Sequence, residues 1–136
     1  VHAWRWRRGE VVCSQRVRAH ASTLRFNPRD LTQLSVSGPA SLRLWRLKTG
    51  TLSAFPSVAG LPEHPSLADH CWSPAGLLLA LGLSGCVWVA RENEVVTRVR
   101  GVLDAPAVPT CIAWVGGGFV VGGTGGALAL VDQVHA

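Results

Sequence analysis

The sequence contains no tyrosine and no methionine, and only 15% of its 136 residues are charged. Nearly half of the residues are apolar, a proportion that suits one ordinary domain with a buried core. Because no methionine precedes Val1, we expect a segment of a longer polypeptide. Long apolar runs are also missing: the longest, 76–90, is broken by Ser84 and Gly85 and is shorter than the roughly 20 residues of a membrane-spanning helix. We therefore expect no membrane span and no membrane partner.

Cysteine pairs with metal-binding or redox spacing are absent too. The four cysteines lie far apart in apolar surroundings and form no C-x-x-C pair: Cys13, Cys71, Cys86 and Cys111. This spacing indicates neither a zinc finger nor a dense disulfide framework. We expect buried free thiols in a protein of a reducing compartment.

The sequence does contain an internal repeat. Three segments carry a short apolar run that ends in a large aromatic residue and a turn: 24–28, 70–74 and 112–116. Each is followed by a second apolar run, a turn with glycine and a third run. Aligning the third runs, and extending the alignment backwards, gives a period of about 40 to 45 residues. One column of this alignment holds Trp4, Trp45, Ala90 and Val131.

A period of this length with four short strands per unit is typical of β-propeller blades, which bury their faces against neighbouring blades. We therefore predict an all-β fold that is part of one β-propeller, with about three blades of four-stranded antiparallel sheet. The predicted units are 1–17, the end of a preceding blade, followed by blades at 18–57, 58–100 and 101–136. Three blades do not close a ring, so we expect the rest of a propeller to exist.

Local chemistry supports strands joined by turns. The apolar runs are rich in valine, leucine and tryptophan at near-alternating positions, and Gly, Pro, Asn and Ser bound them. Clustered glycines predict hairpin reversals at 116–118 and 122–126. Proline and glycine within 58–66 predict an extended connection between two repeats.

Several of these strings resemble motifs of the WD-repeat family. Phe26-Asn27-Pro28 and Trp72-Ser73-Pro74 are similar to the family's first-strand motif, and 45–50 and 131–132 to its third-strand motif. The resemblance covers nearly the whole chain and implies a partial WD40-type propeller that binds other proteins and catalyses no reaction. The family's Gly-His dipeptide and the aspartate of its second hairpin turn are not clearly present, so these repeats are degenerate.

Three further strings are similar to the cilia- and flagella-associated WD-repeat proteins: 27–34, 69–72 and 118–123. In that family the propellers belong to large axonemal scaffolds near inner dynein arms on doublet microtubules. The resemblance implies axonemal proteins, dynein-arm components and tubulin as partners. It also implies a location in the cytoplasm and cytoskeleton, in the axoneme of a cilium or flagellum. A cytoplasmic or nuclear WD-repeat adaptor is the alternative.

The sequence offers one dense set of metal-ligand residue types: His64, Asp69, His70 and Cys71. The last three lead directly into the turn that follows a predicted first strand, where a blade needs core and turn residues. We therefore interpret the set as structural and predict no metal site.

Catalytic and cofactor motifs are also lacking. The string 82–85 does not have the spacing of G-x-S-x-G, and the glycines of 116–126 lack the Lys-Ser/Thr ending of a P-loop. Glu92 and Glu94 fall in a predicted exposed hairpin, which does not suit a paired-carboxylate site. We predict no enzyme, no cofactor and no small-molecule substrate.

The charge balance is basic, with 13 lysines and arginines against eight acidic residues, for a formal net charge of +5. Such a balance favours acidic partners without choosing among nucleic acid, membrane headgroups and acidic proteins. The run 4–8 combines tryptophan with arginine, which suits nucleic-acid contact by charge and stacking. Alternation along a strand is the simpler interpretation, with Trp4 and Trp6 on one face and Arg5 and Arg7 on the other. A basic nucleic-acid-binding module therefore ranks behind a protein-binding scaffold.

Binding residues of a propeller are expected on the loops that join its strands. Polarity and turn position select eight partner-binding candidates: Arg5, Arg7, Arg8, Arg29, Asp30, Arg91, Glu92 and Glu94. These positions predict a non-catalytic scaffold that mediates protein–protein interactions in a large assembly.

Overall fold

A computed structural model describes residues 1–17 and 20–134 of the chain. These residues form four antiparallel sheets that follow one another along the sequence, each built from consecutive strands. The all-β prediction is confirmed. The first two residues of the predicted blade 18–57 and the last two of 101–136 lie outside the described residues, and the division into units stays a prediction.

A two-stranded hairpin, here called the leading hairpin, comes first, with β1 (His2–Arg5) paired to β2 (Glu10–Ser14). Sheet 1 has four strands in sequential order: β3 (Thr23–Asn27), β4 (Asp30–Gly38), β5 (Ser41–Lys48) and β6 (Thr51–Ala54).

Sheet 2 repeats this arrangement with β7 (Leu67–Trp72), β8 (Leu78–Gly82), β9 (Val87–Arg91) and β10 (Glu94–Val99). Sheet 3 has three described strands: β11 (Pro109–Val115), β12 (Gly118–Gly123) and β13 (Leu128–Val131). A 3-10 turn at Thr124–Gly126 separates the last two strands. No helix in the described part of the chain is long and apolar enough to cross a membrane.

Middle and outer strands of a sheet differ in how much of their surface is buried. Every residue of β8 is buried, because its two faces pack against sheets on either side. The outer strand β10 alternates exposed and half-buried residues, since it lies at the edge of its sheet. Three residues of the predicted column, Trp45, Ala90 and Val131, lie on the third strands β5, β9 and β13, and Trp4 lies on β1.

Apolar clusters hold neighbouring sheets together. The cluster between sheets 2 and 3 contains Cys71, Leu77, Leu79, Leu81, Val87, Val89, Val102, Ile112, Phe119 and Val121. The cluster between sheets 1 and 2 contains Leu42, Leu44, Val58, Leu67, Leu78, Ala80, Trp88 and Ala90. A smaller cluster joins the leading hairpin to sheet 1 through Cys13, Leu34, Val36, Trp45 and Leu52. Each fully buried side chain of this kind stabilises the fold by about 1.5–3 kcal/mol.

The prediction of a strand through Trp6 and Arg7 is wrong. β1 ends at Arg5, and the chain reverses over 6–9, where Gly9 has a φ of +64°. That conformation is open to glycine at little cost, so the hairpin closes there. Trp4 and Trp6 are 60% and 81% exposed, so they do not share a buried face.

Two further predictions need correction. Gly122 and Gly123 lie within β12 and not in a turn, because they continue its pairing with β11, and the reversal occurs in the residues that follow. All four cysteines are free, but only Cys13 and Cys71 are buried. Cys86 is half-buried and Cys111 is exposed, since β11 leaves one of its faces uncovered by described residues.

Candidate interaction surface

The sheet topology brings the predicted binding residues to one end of each sheet. In an antiparallel sheet of consecutive strands, the turn after the first strand and the turn after the third lie at the same end. We call this the hairpin end, which comprises the turns 6–9, 28–29, 49–50, 73–77, 92–93 and 116–117. All eight predicted residues lie in these turns or at the strand residues that adjoin them: Arg5, Arg7, Arg8, Arg29, Asp30, Arg91, Glu92 and Glu94.

The turn of the leading hairpin displays arginine and tryptophan together. The guanidinium of Arg7 lies 5.3 Å from the centre of the exposed Trp6 ring, within cation–π range. Arg5 is paired with Glu10 at 3.5 Å, and both side chains are more than half exposed, so the pair adds little stability. Arg8 is exposed in the same turn. The turn is therefore a solvated basic and aromatic tip.

Arg29 connects the hairpin ends of sheets 1 and 2. Its backbone N–H donates to the side-chain oxygen of Asn27 at 2.9 Å, which fixes the turn. Its guanidinium donates to the carbonyl of Ala75 in the first turn of sheet 2 at 3.2 Å. Gly76, with a φ of +82°, lies beneath the Arg29 side chain, so the two turns pack against each other. The hairpin ends of the two sheets are thus adjacent.

Asp30 is an ordered anion beside this contact. It accepts hydrogen bonds from the hydroxyl of Thr32 at 2.6 Å and from the backbone N–H of Thr32 at 3.0 Å. These bonds lower the pKa of Asp30, and the Arg46 guanidinium at 3.2 Å lowers it further. Arg46 also lies 5.2 Å from the centre of the Phe55 ring. Asp30 is therefore already engaged within its own sheet.

The turn after β9 presents Arg91, Glu92 and Glu94, all of them exposed. Glu92 has a φ of +57°, which lets the chain reverse in two residues. Asn93 faces inward, and its amide donates to the carbonyls of Pro56 and Ser57 at 3.2 Å each. The charged side chains of this turn are consequently held on an anchored backbone.

A buried polar network lies between sheets 1 and 2, away from this surface. The two ring nitrogens of His70 contact the hydroxyls of Ser35 and Ser37 at 2.6 and 2.7 Å. Ser35 also accepts a hydrogen bond from the indole N–H of Trp72 at 2.8 Å. Burial lowers the pKa of His70 to about 4, with Asp69 opposing the shift and Arg25 adding to it. His70 is therefore neutral at physiological pH.

Asp69 joins three consecutive sheets. One carboxylate oxygen accepts the backbone N–H of Ile112 in sheet 3 at 3.0 Å. The other accepts the backbone N–H of His70 at 2.8 Å and a bond from the Arg25 guanidinium of sheet 1 at 3.4 Å. Arg25 in addition donates to the carbonyl of His70 at 2.6 Å. These bonds satisfy a carboxylate that is almost wholly buried.

The four residues of metal-ligand type, His64, Asp69, His70 and Cys71, lie in different environments. His64 is exposed, whereas His70 and Asp69 are engaged in the network just described. Burial raises the pKa of the Cys71 thiol to about 12, with Asp69 adding to the rise, so the free thiol is protonated at neutral pH. The described residues hold no group of three such side chains placed to bind a metal.

Sequence reasoning missed Ser35 and Ser37, the partners of His70. Their signal is the alternation Leu34-Ser35-Val36-Ser37, which puts small polar residues on one face of β4 and apolar residues on the other. Two buried serine hydroxyls on one strand face need hydrogen-bond partners, which the backbone of their own sheet or the neighbouring sheet can supply. The sequence does not say which residue supplies it.

No family model and no curated protein matches the sequence. Among solved structures the chain resembles the β-propeller domain of Cps50 (Swd1) from Myceliophteria thermophila, with a TM-score of 0.72, 15% identity and 89% of the chain covered. It also resembles Hsv2 from Kluyvelomyces marxianus, with a TM-score of 0.53, 18% identity and 76% of the chain covered. KlHsv2 with its loop 6CD replaced by a Gly-Ser linker gives a TM-score of 0.56, 20% identity and the same coverage.

The chain spans 41% of the Cps50 domain and 36% of each Hsv2 chain. Two four-stranded sheets, a three-stranded sheet and a leading hairpin account for this share, and the ring is not closed. The structure therefore has the fold of a partial WD40-type β-propeller.

Proposed function

We propose that this chain is part of a non-catalytic scaffold whose hairpin end binds other proteins in a large assembly. The observation that carries the proposal is the placement of all eight predicted charged residues at that end, where hydrogen bonds hold the backbone of the turns 28–29 and 92–93. Rigid blades with charged turns offer a firm surface for protein recognition. The WD40-type fold supports this function because such propellers generally bind other proteins.

The finer proposal is an axonemal scaffold near doublet microtubules and inner dynein arms, with tubulin, dynein-arm components or other axonemal proteins as partners. Its support is the resemblance of three strings, 27–34, 69–72 and 118–123, to cilia- and flagella-associated WD-repeat proteins. The proposed location is the cytoplasm and cytoskeleton, in the axoneme of a cilium or flagellum. A cytoplasmic or nuclear adaptor is equally compatible with the fold.

A second candidate function is nucleic-acid binding by the tip of the leading hairpin. The observation in its favour is the exposed Trp6 ring with Arg7 beside it, flanked by Arg5 and Arg8. A base can stack on such a ring while the arginines contact phosphates. The presence of Glu92 and Glu94 at the same end counts against a long basic track.

Proximity labelling with the full chain, in ciliated and non-ciliated cells, tests the scaffold. A hairpin-end variant carrying Arg5→Ser, Arg7→Ser and Arg8→Ser is expected to lose part of the labelled set. The matched control is Arg98→Ser on β10, an exposed arginine outside the hairpin end, which is expected to keep the set.

The outcomes separate the candidates. Doublet-microtubule and dynein-arm neighbours support the axonemal scaffold, and a cytosolic or nuclear set replaces it by the adaptor. Unchanged labelling in the triple variant contradicts the hairpin end as the binding surface. Steep salt-dependent binding of the full chain to single-stranded nucleic acid, lost in the triple variant, supports the second candidate.

A further inference from the structure

A groove lies at the other end of sheet 1. Its walls are the turn between β4 and β5 with the first residues of β5 (39–43), the connection 57–65 and the residues 15–17 that follow the leading hairpin. Its volume is about 1060 Å³, and it is partly open to solvent. That volume is at the upper limit of small-molecule sites, roughly 300–1,000 Å³, and leaves room for a peptide segment.

The floor of the groove is apolar and well supported. Leu42, Val58 and Pro65 are buried there, and Leu61 is half-buried. Leu42 and Val58 belong to the apolar cluster between sheets 1 and 2, so the floor is fixed by packing. A bound segment with small apolar side chains would therefore meet a preformed surface.

The rim of the groove carries two arginines. The described residues that line it include Arg16 and Arg43, the histidines His20 and His64 and one acidic residue, Glu63, all of them exposed. Among the described residues, neither Arg16 nor Arg43 forms an ion pair. Arg43 makes only a long contact of 3.4 Å to the hydroxyl of Ser57 on the opposite wall. The rim therefore favours a ligand that carries carboxylates.

Trp45 supplies an independent indication. It lines the groove and is 9% exposed, and its indole N–H is buried without an acceptor among the described residues. A buried donor left without a partner destabilises the folded state, so such groups are uncommon in folded proteins. An acceptor brought by a bound segment would satisfy it once the side chains that cover the N–H shift.

We infer that this groove binds an extended acidic peptide segment, whose carboxylates pair with Arg16 and Arg43 and one of whose acceptors reaches the N–H of Trp45. The inference rests on the proposed protein-binding function and adds a second surface with a stated partner chemistry. A concave groove does not fit the flat surface of a bilayer. A nucleic-acid strand would need exposed aromatic rings for stacking, whereas Trp45 is buried.

Fluorescence polarisation with the full chain tests this inference. The probe is a labelled peptide of about ten residues that alternates glutamate and proline, which is extended and apolar on part of its surface. We expect saturable binding that weakens with salt. Arg43→Glu is expected to weaken binding at least tenfold, because it replaces attraction by repulsion at an exposed position that folding tolerates.

Two control variants make the test specific. Arg98→Glu makes the same charge change on β10 and is expected to alter the affinity less than twofold. Trp45→Phe removes the N–H and keeps a ring, and it is expected to weaken binding about tenfold. A lysine–proline peptide of the same length is expected not to bind.

Equal binding to wild type, Arg43→Glu and Trp45→Phe would overturn the inference. So would stronger binding of a single-stranded oligonucleotide or a phosphatidylserine vesicle at matched charge, since either names another partner. If the full chain binds the peptide but the triple arginine variant keeps all its labelled neighbours, the groove proposal stands and the hairpin-end proposal is wrong. If the full chain does not bind the peptide but the triple variant loses labelled neighbours, only the groove proposal is wrong.

Discussion

The two faces of sheet 2 differ in how they hold their neighbours. The face toward sheet 3 is an apolar cluster with Leu79, Val89 and Phe119 at its centre. The face toward sheet 1 combines an apolar cluster with a hydrogen-bonded set of His70, Ser35, Ser37 and Trp72. Apolar contacts are non-directional and do not depend on pH. The hydrogen-bonded set requires defined donor–acceptor distances and angles and a neutral imidazole. The same sheet thus has one face that depends on volume and one that depends on hydrogen bonds and protonation.

Breaking the apolar face should have the largest effect. Phe119→Ala is expected to lower the free energy of unfolding by about 3–5 kcal/mol, because Phe119 is wholly buried and leaves a cavity. Urea unfolding measures the loss. Phe26→Ala, at a phenylalanine that is 46% exposed, serves as the control and is expected to cost roughly 1 kcal/mol or less. Similar losses for the two variants would mean that the apolar face is not packed as described.

Lowering the pH should weaken the polar face through His70. Well above pH 6.5 His70 is neutral in both the folded and the unfolded chain, so it gives no pH dependence there. As the pH falls from 6.5 to about 4, the unfolded chain binds a proton that the folded chain does not, and stability is lost. The loss from this residue approaches about 3 kcal/mol at the lower limit.

Urea unfolding at about pH 7 and about pH 4.5 measures this dependence. NMR titration of the folded chain is expected to show His70 unprotonated until the pH nears its folded pKa of about 4, with Asp69 and Arg25 as the charged groups beside it. His64→Gln, at an exposed histidine, is the control and should leave the dependence in place. A His70 that titrates near 6.5 would refute the lowered pKa.

Removing the Ser35 hydroxyl should show how much the polar face contributes to stability. Ser35→Ala is expected to cost about 2 kcal/mol, because the N–H of Trp72 and one ring nitrogen of His70 lose their partner in a buried place. Ser53→Ala, at an exposed serine on β6, is expected to change stability by less than about 0.5 kcal/mol. Urea unfolding of both variants measures the contrast, and equal effects would exclude the network as a source of stability.

The smallest expected effect is the difference in stability between Trp72→Phe and Trp45→Phe. Trp72→Phe breaks the bond to Ser35, whereas Trp45→Phe removes an N–H that has no described acceptor. In the absence of a ligand, Trp72→Phe is expected to be more destabilising by about 1 kcal/mol, although Trp45 is the more buried ring. Thermal or urea unfolding of the pair measures the difference. The reverse order would show that the N–H of Trp45 is satisfied within the protein.

Repetition and alternation were sufficient to predict an all-β fold of short antiparallel strands, since a third-strand column and turn glycines recur at a nearly constant period. They failed at 6–9, because the chain turns one residue after Arg5 and alternation does not locate a hairpin's end. The eight binding candidates were selected one by one, and only the antiparallel topology shows that they share an end.

Contacts between sheets were beyond sequence reasoning. His70 was noticed as a possible ligand type, but its partners Ser35 and Ser37 lie one sheet earlier in the chain. Which buried polar groups meet depends on the register of two separate sheets, and no local pattern encodes it. The groove at 39–43 and 57–65 was missed for the same reason.

The bonds of Asp69 have a consequence for cooperativity. In arrays of repeated units, stability is approximately a sum of unit terms and nearest-neighbour terms, so distant units unfold almost independently. A carboxylate bonded at once to Arg25 in sheet 1 and Ile112 in sheet 3 adds a next-nearest-neighbour term. Detaching sheet 1 or sheet 3 leaves the buried Asp69 carboxylate with one partner fewer. The free energy of that partly unfolded state is therefore raised. We therefore expect partly unfolded states with one sheet detached to be rarer than independent units would allow.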